Sequence, residues 1–133
     1  MSYNIQDKGL TLIEIIVVII ILGILAALTF PRFTKTKESS LDMESKANLR
    51  LIQAAEKIYR MENDFYYPYA NTSDTSGINE YLKLSLPTDA KSSWNYTTST
   101  NGTTSAIRNT AAGRTWNLLI NQTEPVCSGA DCP

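Results

Sequence analysis

The stretch that most restricts this chain is "GLTLIEIIVVIIILGILAALTFP", residues 9–31. Between positions 10 and 30 only Thr11, Glu14, Gly23 and Thr29 interrupt the apolar residues. About 20 apolar residues in helical conformation cross the hydrocarbon core of a bilayer. A helix that is apolar all round has to be covered by lipid or by other protein. Glu14 is the anomaly in the run. A carboxylate inside hydrocarbon is costly unless it is paired or can reach the headgroups. On position alone, a boundary residue that snorkels and a functional charge awaiting a partner are equal readings. A secretory signal would place charge first, the apolar stretch second and a small-residue cleavage site third. "ILAALTF" is a poor site of that kind and is followed by Pro31 and Arg32, so the segment is expected to be retained.

Downstream, residues 34–63 contain no Gly or Pro. Met43, Ala47, Leu51, Ala54, Ile58 and Met61 recur at three- and four-residue steps, which places them on one helical face, with Ala55 and Tyr59 widening it. Lys46, Arg50, Lys57 and Arg60 lie mostly on the other side. The simplest reading is one long helix over about residues 10–63, kinked near Pro31. Its second half needs a cover for the apolar stripe, and residues 64–133 have to supply it.

"NDFYYPYANTSDTSG" reads as a turn-rich connection, and "INEYLKLSLP" as a short helix or irregular turn ending at Pro87. Two Thr-rich runs are then joined by Asn101-Gly102, a strong hairpin signal. Gly113 marks a second turn, and "TWNLLIN" a third strand. Trp94, Tyr96, Ile107, Trp116, Leu118 and Ile120 are the expected buried face. So small a sheet is not stable alone. The expected fold is therefore α+β: a long N-terminal helix packed against a three- to four-stranded antiparallel sheet. The expected divisions are 1–9, 10–33 and 34–133. The last comprises a helix half at 34–63, a loop at 64–93, the sheet at 94–121 and a C-terminal loop at 122–133.

The formal net charge is -1 and the chain has no histidine. Nothing in that balance suggests a nucleic-acid partner, and the commonest general base and metal ligand are missing. The two cysteines, Cys127 and Cys132, cannot form a tetrahedral zinc site by themselves. A disulfide closing a small loop, in an oxidising compartment, is the leading reading; two free thiols on a terminal tail is the other. Asn-x-Ser/Thr triplets begin at Asn71, Asn95, Asn101 and Asn121, as chance allows in so Ser/Thr/Asn-rich a tail. The aromatic cluster "DFYYPY" reads as packing where the helix meets the sheet. No nucleophile–base pair, phosphate loop or metal cluster is visible, so no enzyme and no cofactor are expected.

Read as Gly9-Leu-Thr-Leu-Ile-Glu14 followed by an apolar run with Gly23 and Pro31, the N-terminus resembles that of the type IV prepilins. The resemblance is specific and covers about residues 8–33. It implies that residues 1–9 are a leader, that a prepilin peptidase cuts between Gly9 and Leu10, and that the new amine of Leu10 is methylated. Leu10 departs from the commoner Phe. It further implies that Glu14 pairs with the Leu10 amine during assembly, and that the segment between Gly23 and Pro31 melts in a filament. The expected partners are identical subunits, the peptidase and an inner-membrane assembly platform. The expected location is the inner membrane, then a surface filament, or the periplasm for a pseudopilin. A pilus subunit is the first expectation. The pseudopilins of type II secretion or competence systems are the close alternative, and "FYYP" resembles their sequence after the helix. Only under that alternative would calcium be expected, and Asp74, Glu80, Asp89 and Asp131 are too scattered to name a site. A single-span anchored binding protein is the more distant alternative. One feature runs against the family placement. Arg32, Lys35 and Lys37 follow the run, whereas only Lys8 precedes it, and a bare positive-inside count puts the C-terminal part in the cytoplasm.

Overall fold

The computed structural model describes residues 9–68, 70–88, 92–109, 113–130 and 132–133, and only the backbone of Phe30 and Pro31. The elements are α1 (Leu12–Asn63), α2 (Thr75–Tyr81), β1 (Trp94–Thr98), β2 (Thr104–Arg108), β3 (Thr115–Leu118) and β4 (Val126–Ser128). The chain divides into two compact units, Met1–Ser39 and Ser40–Pro133, with α1 contributing to both. The α+β arrangement expected above is found.

In the first unit, α1 is assigned without interruption through Gly23 and Pro31. Proline supplies no backbone N–H and so leaves the carbonyl four residues back without its helical donor. Thr29 and Thr36, on either side, turn their hydroxyls back onto the Leu25 and Arg32 carbonyls at 2.8 and 3.0 Å. Those bonds satisfy two polar side chains within the helix itself. The leader expected at 1–9 lies outside the described residues except for Gly9.

In the second unit, the four strands form one antiparallel sheet in the order β1-β2-β3-β4. The register Trp94↔Arg108, Tyr96↔Ala106↔Trp116 and Thr98↔Thr104↔Leu118 sets one face toward α1. The β1–β2 connection closes through Gly102 N–H to Ser99 O (2.8 Å), with Gly102 at φ +75°. A Cβ at Gly102 would lie 3.1 Å from the Tyr66 ring and 3.2 Å from Ile120, so conformation and space both demand glycine there. Five of the expected inner residues fit this register or pack beside it, but Ile107 does not. It pairs with Asn95 and Thr115 on the outer face and is 41% exposed. The period of two in a strand gives Ala106 the inner position, fully buried, once Tyr96 and Trp116 are inside.

Two further expectations need correction. The tail at 122–133 is not merely a loop, because Val126–Ser128 pairs with β3 as β4, and the Cys127–Cys132 disulfide ties the last residues to that strand. The connection at 64–93 holds α2, which starts earlier than expected because Asp74 caps it, accepting the Gly77 N–H at 2.9 Å.

The largest correction concerns the face of α1. Met43 (70% exposed), Ala47, Leu51, Ala54, Ile58 and Met61 (77%) point away from the sheet. The buried face is Asp42, Ser45, Leu49, Ile52, Gln53 and Glu56. Hydrogen bonds explain the choice. The indole of Trp94 donates to Leu41 O and that of Trp116 to Asp42 Oδ1. Asn48 donates to the Tyr96 hydroxyl, and Gln53 donates to the carbonyls of both Leu119 and Gln122. A sheet rich in indoles, a phenol and loop carbonyls must have these groups satisfied on burial, and only the mixed polar face of α1 can do that. Lys46, expected on the far side, lies over the Trp116 ring at 4.0 Å. The core is completed by Ile78, Leu82, Leu86, Trp94, Tyr96, Trp116 and Leu118. A paired substitution checks this orientation. Leu49→Ala should lower unfolding stability by about 2–5 kcal/mol, and Leu51→Ala, two residues on, by about 0.5 kcal/mol or less, in urea titrations.

Candidate assembly site at the start of the long helix

The residues singled out from the sequence cluster at the start of α1. The helix begins at Leu12, so Thr11 is its N-cap. The Thr11 backbone N–H and hydroxyl both donate to Glu14 Oε2, at 2.9 and 2.8 Å, and the Glu14 N–H points to Thr11 Oγ1 at 3.3 Å. This is a reciprocal capping box, in which two of the four N–H groups orphaned at a helix start are satisfied by side chains. The sequence signal was present as Thr-x-x-Glu ahead of an apolar run, and Thr11 is the residue that the reading of Glu14 alone missed. The carboxylate thus has a local structural role in addition to any intermolecular one. Its negative charge also sits at the positive end of the helix dipole.

Leu10 and Gly9 precede the helix and are exposed, and no atom lies within 4 Å of a Cβ built on Gly9. The cut implied by the sequence falls at the Gly9-Leu10 bond. A chain cut there would carry its new amine one residue before the cap and four before Glu14. Gly23 likewise has open space around it, so packing within the molecule gives no reason for glycine at that position. Every large apolar side chain described between Leu12 and Leu28 is exposed. By length and composition this part of α1 could cross a membrane, and none of it is buried within the molecule.

Elsewhere, Asp74 is occupied as a helix cap and Glu80 lies within α2, while Asp89 and Asp131 lie outside the described residues. Among the described residues no cluster of three or more His, Cys, Asp or Glu could hold a metal. The aromatic cluster packs as expected. Tyr67 stacks on Tyr81 at 4.7 Å, and Tyr59 meets both Phe65 and Tyr67 edge-on at 5.9 Å. The Asn101 carboxamide is engaged by its own turn, accepting from Thr103 N–H and the Ser99 hydroxyl.

The family model for the prokaryotic N-terminal methylation motif matches residues 6–30, which include this site. The chain is 31% identical over 81 residues to the ComG operon protein 3 homolog of Bacillus licheniformis, a match covering 61% of this chain and 80% of that protein. The chain belongs to the type IV pilin and pseudopilin family. Other relatives of this pilin-family chain divide between the two branches. It is 41% identical over 69 residues to the type IV major pilin protein PilA of Myxococcus xanthus, covering 52% of this chain and 31% of PilA. It is 36% identical over 90 residues to the type II secretion system core protein G of Pseudomonas aeruginosa, covering 68% of this chain and 60% of that protein. The matches thus span from about a third to three fifths of these last two relatives. No solved structure matches the pilin-family chain significantly. The matched motif is one of N-terminal methylation, and residues 6–30 include Gly9 and Leu10.

Proposed function

We propose that this chain is the structural, non-catalytic subunit of a type IV pilus. It would be stored in the inner membrane by residues 10–33 and polymerised with identical copies into a surface filament for adhesion, motility or DNA uptake. Cleavage after Gly9 and methylation of Leu10 would expose the amine that pairs with Glu14 of a neighbouring copy on the assembly platform. The observation that carries this reading is the distribution of apolar surface. Residues 12–29 are exposed all round. The second half of α1 satisfies its own sheet with a polar face and leaves Met43, Leu51, Ile58 and Met61 outward. Surface of that kind is covered in an assembly rather than in a monomer. The Cys127–Cys132 disulfide suits an oxidising exterior.

A pseudopilin role is the second reading, favoured by the match that covers most of the ComG relative and by the two-branch distribution of the others. Electron microscopy of filaments sheared from cells separates them, since a pilus subunit is the main constituent of long surface fibres and a pseudopilin is not. Mass spectrometry of the native N-terminus tests both. An N-methylated Leu10 is expected, and an intact Met1 would leave only a single-span anchored protein.

A further inference from the structure

Glu56 lies on the last turns of α1, fully buried beneath the connection to α2. Its Oε2 accepts the Tyr67 backbone N–H at 3.0 Å, and its Oε1 has no hydrogen-bond partner. The Tyr67 ring is held between Tyr59 of α1 and Tyr81 of α2. One carboxyl group therefore joins α1 to the loop and, through the stacked rings, to α2. Among the described residues no cation is paired with it. Arg60, one turn on, donates to the Tyr66 hydroxyl and lies over that ring at 4.6 Å. Other titratable groups on the elements around it include Arg50, Lys57, Tyr59 and Glu62 on α1, Asp64, Tyr66 and Tyr67 in the loop, Tyr96 on β1, and Asp74, Glu80 and Tyr81 at α2. Burial pushes Tyr67 and Tyr96 upward, so they stay neutral, and the chain has no histidine.

We propose that Glu56 is a proton-operated latch. Its carboxylic acid form holds the Tyr67 loop closed on α1, and loss of the proton to water releases the loop so that the carboxylate can hydrate. Among the described residues an ionised group in this position has one backbone donor, the Thr98 hydroxyl as a lesser favourable neighbour and no counter-ion, and burying it in that state costs more than opening a short loop. Burial raises Glu56 from 4.5 to about 7, against the smaller opposing pull of the Tyr67 N–H. A raised carboxyl stabilises the closed form fully below about 4.5, and that contribution drains away as the pH rises and is gone above about 7.

Hydrogen exchange of the Tyr67 amide, measured on the full chain in detergent micelles and referred to the intrinsic exchange rate, tests the latch. Protection should fall about tenfold per pH unit between about 4.5 and 7, roughly 300-fold in all, and then level off. Glu56→Gln, neutral at every pH, should abolish that slope. Constant protection in the wild type, or the same slope in Glu56→Gln, overturns the proposal. Should the variant not fold, carbon-13 NMR of the Glu56 carboxyl in the wild-type chain decides. A midpoint raised clearly above 4.5 supports the latch, and one near 4.5 removes it.

Discussion

Glu14→Gln will leave the chain folded, inserted and cleaved, and will lower its incorporation into filaments about tenfold or more. Glu14 caps its own helix, and the proposed assembly gives it a second role. Glutamine serves in a capping box as glutamate does, so the bonds from Thr11 to Glu14 Oε2 can be kept by the carboxamide oxygen. What glutamine cannot supply is the negative charge that would meet the Leu10 amine of an incoming copy in apolar surroundings, where an unpaired amine is costly. Glu14→Val removes both roles and should assemble no better. Immunoblots of sheared filaments against cell-associated protein provide the measurement, with an N-terminal digest to verify cleavage. Normal filament yield from Glu14→Gln would reduce the residue to a helix cap.

Asp42→Ala will destabilise the head by about 3–5 kcal/mol. Asp42 is buried with Arg114, whose guanidinium nitrogen lies 3.1 Å from Oδ1, and the same oxygen accepts the Trp116 indole N–H at 3.1 Å. Truncation takes one carboxylate from a buried cation and the acceptor from an indole donor. Asp42→Asn keeps an acceptor for Trp116 and should lose less. The double variant Asp42→Leu/Arg114→Met removes both charges and should recover much of the loss, since apolar replacement of a buried pair is often neutral or better. Urea unfolding of the full chain in detergent, followed by tryptophan fluorescence, reads all three, and a loss below about 1 kcal/mol for Asp42→Ala would contradict the buried-pair account. By contrast, the Arg50–Glu124 pair is exposed on both sides, and its removal should be nearly silent.

Much of the second unit was legible before any coordinates. Asn101-Gly102 set the hairpin, and the aromatic positions Trp94, Tyr96 and Trp116 set the inner face. The errors of side-chain orientation share one cause. Ile107 and the stripe of Met43, Leu51, Ile58 and Met61 were assigned to the core because they are apolar, yet all are exposed. Periodicity ranks residues by hydrophobicity and cannot see which polar groups a facing surface will need to have satisfied. Asp42, Asn48, Gln53 and Glu56 look like a solvent face until the indoles, the phenol and the loop carbonyls of the sheet stand opposite them. The sequence allows a fourth strand without placing it, because three residues around a cysteine carry no alternation, and only the β3 edge recruits them.

The sequence by itself determined the membrane-length apolar segment, the processing motif around Gly9 and Leu10, and the presence of a charge at Glu14. Those are properties of consecutive residues, read by length and spacing. The tertiary structure alone decided which face of α1 turns inward, and that Glu56 is buried with no cation paired to it among the described residues. Each of these depends on partners that meet only when the chain is folded, because satisfying a buried hydrogen bond outweighs the small gain from burying one more apolar side chain in its place.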